Sequence, residues 1–149
     1  MTTFRLARRE DVPAVVALLT DDVLGAAREG DDLTRYYDAF DRMAVEGANL
    51  LIVGTAPDGE VIATYQITFI SGLSLRAARR AQIESVRVAT ACRGQGIGRE
   101  MFRDAFARAR AESCALVQLT MNTQRHEAKR FYESLGFTAS HHGFKYALD

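Results

Sequence analysis

The chain is 149 residues long, balances nineteen Lys and Arg against nineteen Asp and Glu, and contains two cysteines and three histidines. That length fits one domain, 1–149, burying roughly two-thirds of its unfolded surface in a single core, and zero net charge excludes a global field for nucleic acid or an anionic membrane. Two cysteines without a leader indicate a reducing cytoplasm, no paired His/Cys spacing calls for a metal, and no apolar run nears the ~20 residues of a membrane span.

Thr3–Leu6 reads as a short first strand. Asp11 opens a helix with Pro13 in its first turn, where a missing N–H costs little, and Val12, Val15, Val16, Leu19 and Val23 form its apolar stripe. Gly25 to Gly30 break the pattern, and Asp31 and Asp32 suit the next helix N-terminus. Leu33, Tyr36, Tyr37, Phe40, Met43 and Ala44 then repeat the helical spacing, with Tyr36 and Tyr37 either packed in the core or lining a substrate cavity.

Asn49–Thr55 and Val61–Ile70 read as strands of an antiparallel hairpin joined by Ala56-Pro57-Asp58-Gly59. Ile62, Thr64, Gln66, Thr68 and Ile70 share one face of the longer strand. Ser71 to Ala81 is expected to be a loop, whose Arg76, Arg79 and Arg80 are either solvated or a local anion grip.

Gln82 to Val88 alternates Ile83, Ser85 and Arg87 against Glu84, Val86 and Val88, which predicts a strand. Gly94, Gly96 and Gly98 then open a helical segment that runs to Ala111. A glycine turn between strand and helix brings backbone N–H groups and the positive helix end close to an anion, and Arg93 and Arg99 add charge. Taken alone, the glycines serve a tight connection equally well. A dinucleotide motif fails because Arg99 stands where its last glycine belongs, and no Gly-Lys-Ser/Thr completes a Walker A loop.

Ala115–Thr120 reads as a strand and His126–Leu135 as a helix, stopped by a left-handed Gly136 and covered by Phe137. Thr138 to Leu148 has room for one or two final strands, with His141 and His142 either exposed or touching a substrate. The sum is an α/β domain: a mixed, mostly antiparallel sheet of six or seven strands flanked by about four helices.

Arg93-Gly94-Gln95-Gly96-Ile97-Gly98, followed by Phe131-Tyr132-Glu133-Ser134-Leu135-Gly136-Phe137, resembles the GCN5-related N-acetyltransferase superfamily. Its acetyl-CoA motif, Arg/Gln-x-x-Gly-x-Gly/Ala, is met by Arg93, Gly96 and Gly98, and the resemblance spans nearly the whole chain. The cofactor half is most similar to glucosamine-6-phosphate acetyltransferases and small bacterial members. The resemblance implies acetyl-CoA as acyl donor, its pantetheine arm along the backbone of Val86, Arg87 and Val88, and its diphosphate on Gly94, Gln95, Gly96, Ile97, Gly98 and Arg99. Arg125 departs from an asparagine usual in relatives, and Asn122 could replace that amide. Ser113 stands where a glycine usually ends the central helix.

For the chemistry, the resemblance makes Tyr132 the acid for the departing thiolate, the other reading being a core tyrosine. Glu84 is the candidate general base, or else a surface residue of its strand; Cys92 is a bystander. The implied activity is acetyl transfer to a primary amine, a small molecule before a protein, in a cytoplasmic homodimer with no metal, nucleic acid or membrane partner. The alternative is a non-catalytic acyl-CoA-binding or interaction module of the same fold.

Overall fold

The computed structural model describes residues 1–21, 29–30 and 32–149, so the expected roles of Val23, Gly25 and Asp31 lie outside the described residues. Two compact units result, Met1–Gln118 and Leu119–Asp149.

Five strands, β1 (Thr3–Leu6), β2 (Asn49–Thr55), β3 (Val61–Ile70), β4 (Arg80–Val88) and β5 (Leu116–Leu119), form a sheet in that order. The first four pair antiparallel. Among the described residues five α-helices accompany them: α1 (Val12–Thr20), α2 (Leu33–Glu46), α3 (Ser74–Ala77), α4 (Ile97–Ala111) and α5 (His126–Ser134). The hairpin turn forms as its residues demand, with Gly59 N–H on the Ala56 carbonyl at 2.8 Å and Gly59 at φ +91°.

One face of the sheet carries α4. Ile52, Ala63, Tyr65 and Ile67 on this face are fully buried, and each large side chain among them contributes about 1.5–3 kcal/mol by leaving water. Tyr65 cannot bury its hydroxyl without a partner, and it donates to Asp104 Oδ2 of α4 at 2.5 Å. Arg108 Nε donates to the same oxygen at 2.8 Å. Burial and this carboxylate push the Tyr65 phenol far above its ordinary range.

The other face carries α1. Pro13 sits in its first turn as expected, but the Asp11 side chain does not cap it. Asp11 instead ties α1 to β1, accepting from Arg5 Nη1 at 2.7 Å, Arg5 Nη2 at 3.0 Å and Arg8 N at 2.7 Å. On α2, Asp32 does cap, accepting from Thr34 N at 3.0 Å.

The predicted alternation along β4 is broken. Thr64 pairs with Arg87 and Gln66 with Glu84, so Tyr65 alone faces both Ser85 and Val86. This is a β-bulge, with Ser85 in the left-handed region at φ 56°. The extra residue inverts the phase: Ile83 opposite Ile67 and Val88 opposite Ala63 share the α4 face, whereas Glu84 and Arg87 point to the other side.

The strand count is also five, not six or seven: beyond Ser134 no described residue lies in a helix or strand. Phe144, Tyr146 and Leu148 keep the period of a strand but are 94, 90 and 89% exposed. Alternation supplies a face, and a strand also needs a neighbouring backbone to pair with.

Three of the described helix stops use a residue of positive φ, among them Gly47 at φ +76° after α2. After α4 it is Ser113 at φ 59°, in the place of the expected glycine, with Cys114 N–H on the Ala109 carbonyl at 2.9 Å. In the second unit it is Gly136 at φ +101°, with Phe137 N–H on the Tyr132 carbonyl at 3.1 Å and the two rings 5.9 Å apart. That ring contact is the apolar cover such stops attract.

Candidate active site

The site is built along β4. At its end a 3₁₀ turn, Thr90–Cys92, is fixed by Thr90 Oγ1 donating to Asp21 Oδ2 at 2.7 Å. The chain then passes through Gly94 at φ +78° and Gly96 at φ +81° into α4. No heavy atom lies within 4 Å of a Cβ built at either glycine, so the backbone here faces open space. Glu100 N–H makes the bond to the Gly96 carbonyl at 3.1 Å, and the N–H groups of Ile97, Gly98 and Arg99 precede it.

The backbone N–H groups of a helix N-terminus, left-handed glycines and free space above them fit a diphosphate. Ile97 is buried, so its side chain anchors the helix and only its N–H is offered. Arg93 and Gln95 are exposed, and Arg93 Nε lies 3.4 Å from the Val88 carbonyl. Arg87 is buried on the α1 side of the sheet and donates to the Val86 carbonyl at 2.9 Å.

At the bulge, the register gives neither Ser85 nor Val86 a partner on β3. Glu84 is exposed one residue before it. Ser85 enters the wall of a cavity of about 150 Å³ between α1, α2 and the sheet. Tyr36, Phe40, Thr64 and Gln66 line it with Val15 and Val16. Of the two tyrosines that the sequence leaves open, Tyr36 therefore lines a cavity, whereas Tyr37 lies beneath the Arg9 guanidinium at 4.5 Å.

The arginine cluster does not converge on this cavity. Arg79 Nη1 binds Glu112 Oε2 at 2.8 Å, and its guanidinium lies 5.4 Å from the Phe69 ring. Arg76 is exposed in the one-turn α3, where Leu75, Arg76 and Ala77 all have positive φ. Both cysteines are free thiols, and burial pushes Cys114 up.

The second unit holds Asn122 and Tyr132. Asn122 Oδ1 accepts from Gln124 N at 2.9 Å, closing its own turn, and Tyr132 packs between Phe131 and Phe137. His141 and His142 are exposed, with Ser140 Oγ 2.6 Å from His141 Nδ1. No group of described residues is arranged to hold a metal ion, and no described helix is long and apolar enough to cross a membrane.

Sequence reasoning missed Ser85, Thr64, Gln66 and Phe40 as cavity residues. A signal for the bulge was present: apolar Ile83, Val86 and Val88 are spaced by three and then two, which no regular strand places on one face.

The model of the Acetyltransferase (GNAT) family matches residues 7–137. A transcriptional regulator from Bacillus halodurans C-125 is 40% identical with a TM-score of 0.94, over 99% of this chain and 100% of that one. A proposed acetyltransferase from Agrobacterium tumefaciens str. C58 is 27% identical with a TM-score of 0.86, over 98% and 99% of the two chains. Glucosamine-6-phosphate N-acetyltransferase from Arabidopsis thaliana shares the fold at 19% identity, TM-score 0.82, over 100% and 99%. No curated protein matches the chain.

Proposed function

The chain belongs to the acetyltransferase (GNAT) family, whose acyl donor is acetyl-CoA, and on that premise we propose that it acetylates the primary amine of a small molecule. One observation carries this reading. A single strand, β4, runs from a bulge in the cavity wall to the glycine turn that opens α4, so an acyl donor lying along it would be held at one end and reach an acceptor at the other.

Acetyl-CoA supplies the acetyl group as a thioester. The N–H groups of Gly94 to Arg99 would hold its diphosphate, and the backbone of the bulge at Ser85 and Val86 would receive the pantetheine end, with the Val86 N–H polarising the carbonyl. An alkyl ammonium, with an ordinary pKa near ~10.4, must first lose a proton. Glu84 takes it, directly or through water, and passes it to solvent. The C–N bond then forms and the C–S bond breaks; Tyr132 gives its proton to the sulfur and is reprotonated by the second proton lost from the nitrogen, which leaves the neutral amide. Asn122 retains its amide N–H groups for the pantetheine arm.

A second reading is a non-catalytic acyl-CoA-binding or interaction module of the same fold, and its motive is that the 40% identical Bacillus protein is named a transcriptional regulator and not a transferase. Thiol release from acetyl-CoA across a panel of amines separates the two. Acceptor-dependent release supports the enzyme, whereas tight acetyl-CoA binding with no release from any amine supports the module.

We also place the protein in the cytoplasm as a homodimer. The dimer is supported by the exposed alternating residues Phe144, Tyr146 and Leu148, which a second copy would cover. Analytical ultracentrifugation tests it, and a monomer at every concentration would overturn it.

A further inference from the structure

We propose that the acceptor is an arylalkylamine with a single aromatic ring, and that the ring occupies the cavity between α1 and α2. This assignment rests on the acetyltransferase reading and adds to it the class of acceptor.

Size is the first argument. The cavity measures about 150 Å³, and a cavity of about that volume lined by Leu, Ile and Phe takes one benzene ring. An amino sugar phosphate or a polyamine would bring polar or charged groups with no partner in such a lining, and burying them unpaired is costly.

Composition is the second. Four residues of α1 and four of α2 form most of the wall, and no described lining residue carries a charge. The polar groups present are largely committed within the protein. Tyr36 donates to Glu29 Oε1 at 2.8 Å and accepts from Gly30 N at 3.0 Å, which leaves its ring face for the cavity. Thr64 Oγ1 donates to the Ile52 carbonyl at 2.8 Å, and Gln66 Nε2 to Asn49 Oδ1 at 2.8 Å. The basic residues suited to a phosphate are elsewhere, with Arg79 held by Glu112.

Direction is the third. The sheet side of the wall holds Thr64, Gln66 and Ser85, so polarity increases toward the bulge. A ring packed among Val16, Tyr36 and Phe40 would direct a short aminoalkyl arm toward Ser85, one residue from Glu84. The α2 helix has the form expected of a wall: its apolar face contains Tyr36, Phe40 and Met43, yet none of its residues is buried.

The test uses 2-phenylethylamine, glucosamine 6-phosphate and spermidine as acceptors, and toluene as a ring without an amine. The expected result is a kcat/KM for 2-phenylethylamine at least about 100-fold above the other two, the range an unsuited polar group costs in an apolar site. Toluene should bind by ligand-detected NMR, and Val16→Phe, which fills the cavity, should abolish that binding. Phe40→Ala should move the preference at least about tenfold toward the two-ring tryptamine. Comparable or faster turnover of glucosamine 6-phosphate or spermidine would overturn the acceptor class and leave acetyl transfer standing. Toluene binding without thiol release from any amine would overturn the transferase reading and the acceptor assignment with it.

Discussion

Replacing Asp11 with asparagine tests how α1, the helix that forms one wall of the cavity, is held to the sheet. The carboxylate is 7% exposed and accepts three hydrogen bonds, two from Arg5 and one from the Arg8 backbone. Arg5 and the Arg8 N–H hold its carboxyl below the usual range, although burial opposes them. The substituted amide keeps the shape but not the charge, and it turns an N–H donor toward Arg5 or Arg8. Hydrogen bonds to charged groups contribute about 1.5–3 kcal/mol each, and breaking a buried pair costs about 3–5. Because the Arg5 side chain retains 28% exposure, water recovers part of this, and the expected loss is about 3 kcal/mol. That corresponds to a fall in Tm of roughly 6–12 °C for a chain of this size. The pH dependence follows from the depressed folded pKa: the stabilisation is complete above the unfolded value near ~3.9 and is lost as pH falls through the folded one. Urea unfolding should therefore show a gap of about 3 kcal/mol at pH 6 that narrows steadily as pH falls below about 4. A gap of equal size at both pH values would refute the reasoning.

Other sites give independent expectations. Gly96→Ala meets no steric obstacle but forces a side chain into φ +81°, at about 1–2 kcal/mol, so calorimetry should show acetyl-CoA affinity reduced about tenfold; unchanged affinity would remove the turn from the binding site. Asp104→Ala leaves the fully buried Tyr65 hydroxyl and Arg108 without their shared acceptor and should cost about 2–4 kcal/mol in urea unfolding, more than Tyr65→Phe at about 1. Glu84→Gln should lower kcat/KM about 100-fold and flatten its alkaline rise; a profile of unchanged shape assigns the base elsewhere. Tyr132→Phe should lower kcat by about 100-fold with the Kd for acetyl-CoA nearly constant, and an unchanged kcat would dismiss it as the acid.

Local chemistry is legible in the sequence where it suffices to set the structure. Asn49–Thr55 and Val61–Ile70 agree to the residue because Pro57, Asp58 and Gly59 close a turn whatever surrounds them. Gly136 is found where expected because a left-handed stop is a property of a few consecutive residues. The bulge at Ser85 is signalled only by the uneven spacing of Ile83, Val86 and Val88: register belongs to two strands, and the pairing of Gln66 with Glu84 and Thr64 with Arg87 locates the extra residue. The contact between Tyr65 and Asp104 spans 39 positions, beyond any periodicity. The tail misleads because Phe144, Tyr146 and Leu148 alternate as a strand does while lying exposed.

Departures from ideal local structure gain meaning by where they converge. Three meet along β4: Ser85 at φ 56° in the bulge, the left-handed Gly94 and Gly96, and an amphipathic α2 that faces a cavity instead of burying its apolar side. Strain and incomplete packing are tolerated at sites where a ligand has to be received. A fourth departure, the left-handed run Leu75–Ala77, is as pronounced as any of these, with three consecutive non-glycine residues at φ 54–60°. Its residues line no part of the cavity, and Leu75 is 69% exposed. Strain by itself therefore does not identify the site. What distinguishes β4 is that a donor cradle, a bulge whose two residues have no partner on β3, and a cavity of one ring's volume with no charge among its described lining residues meet at a single strand.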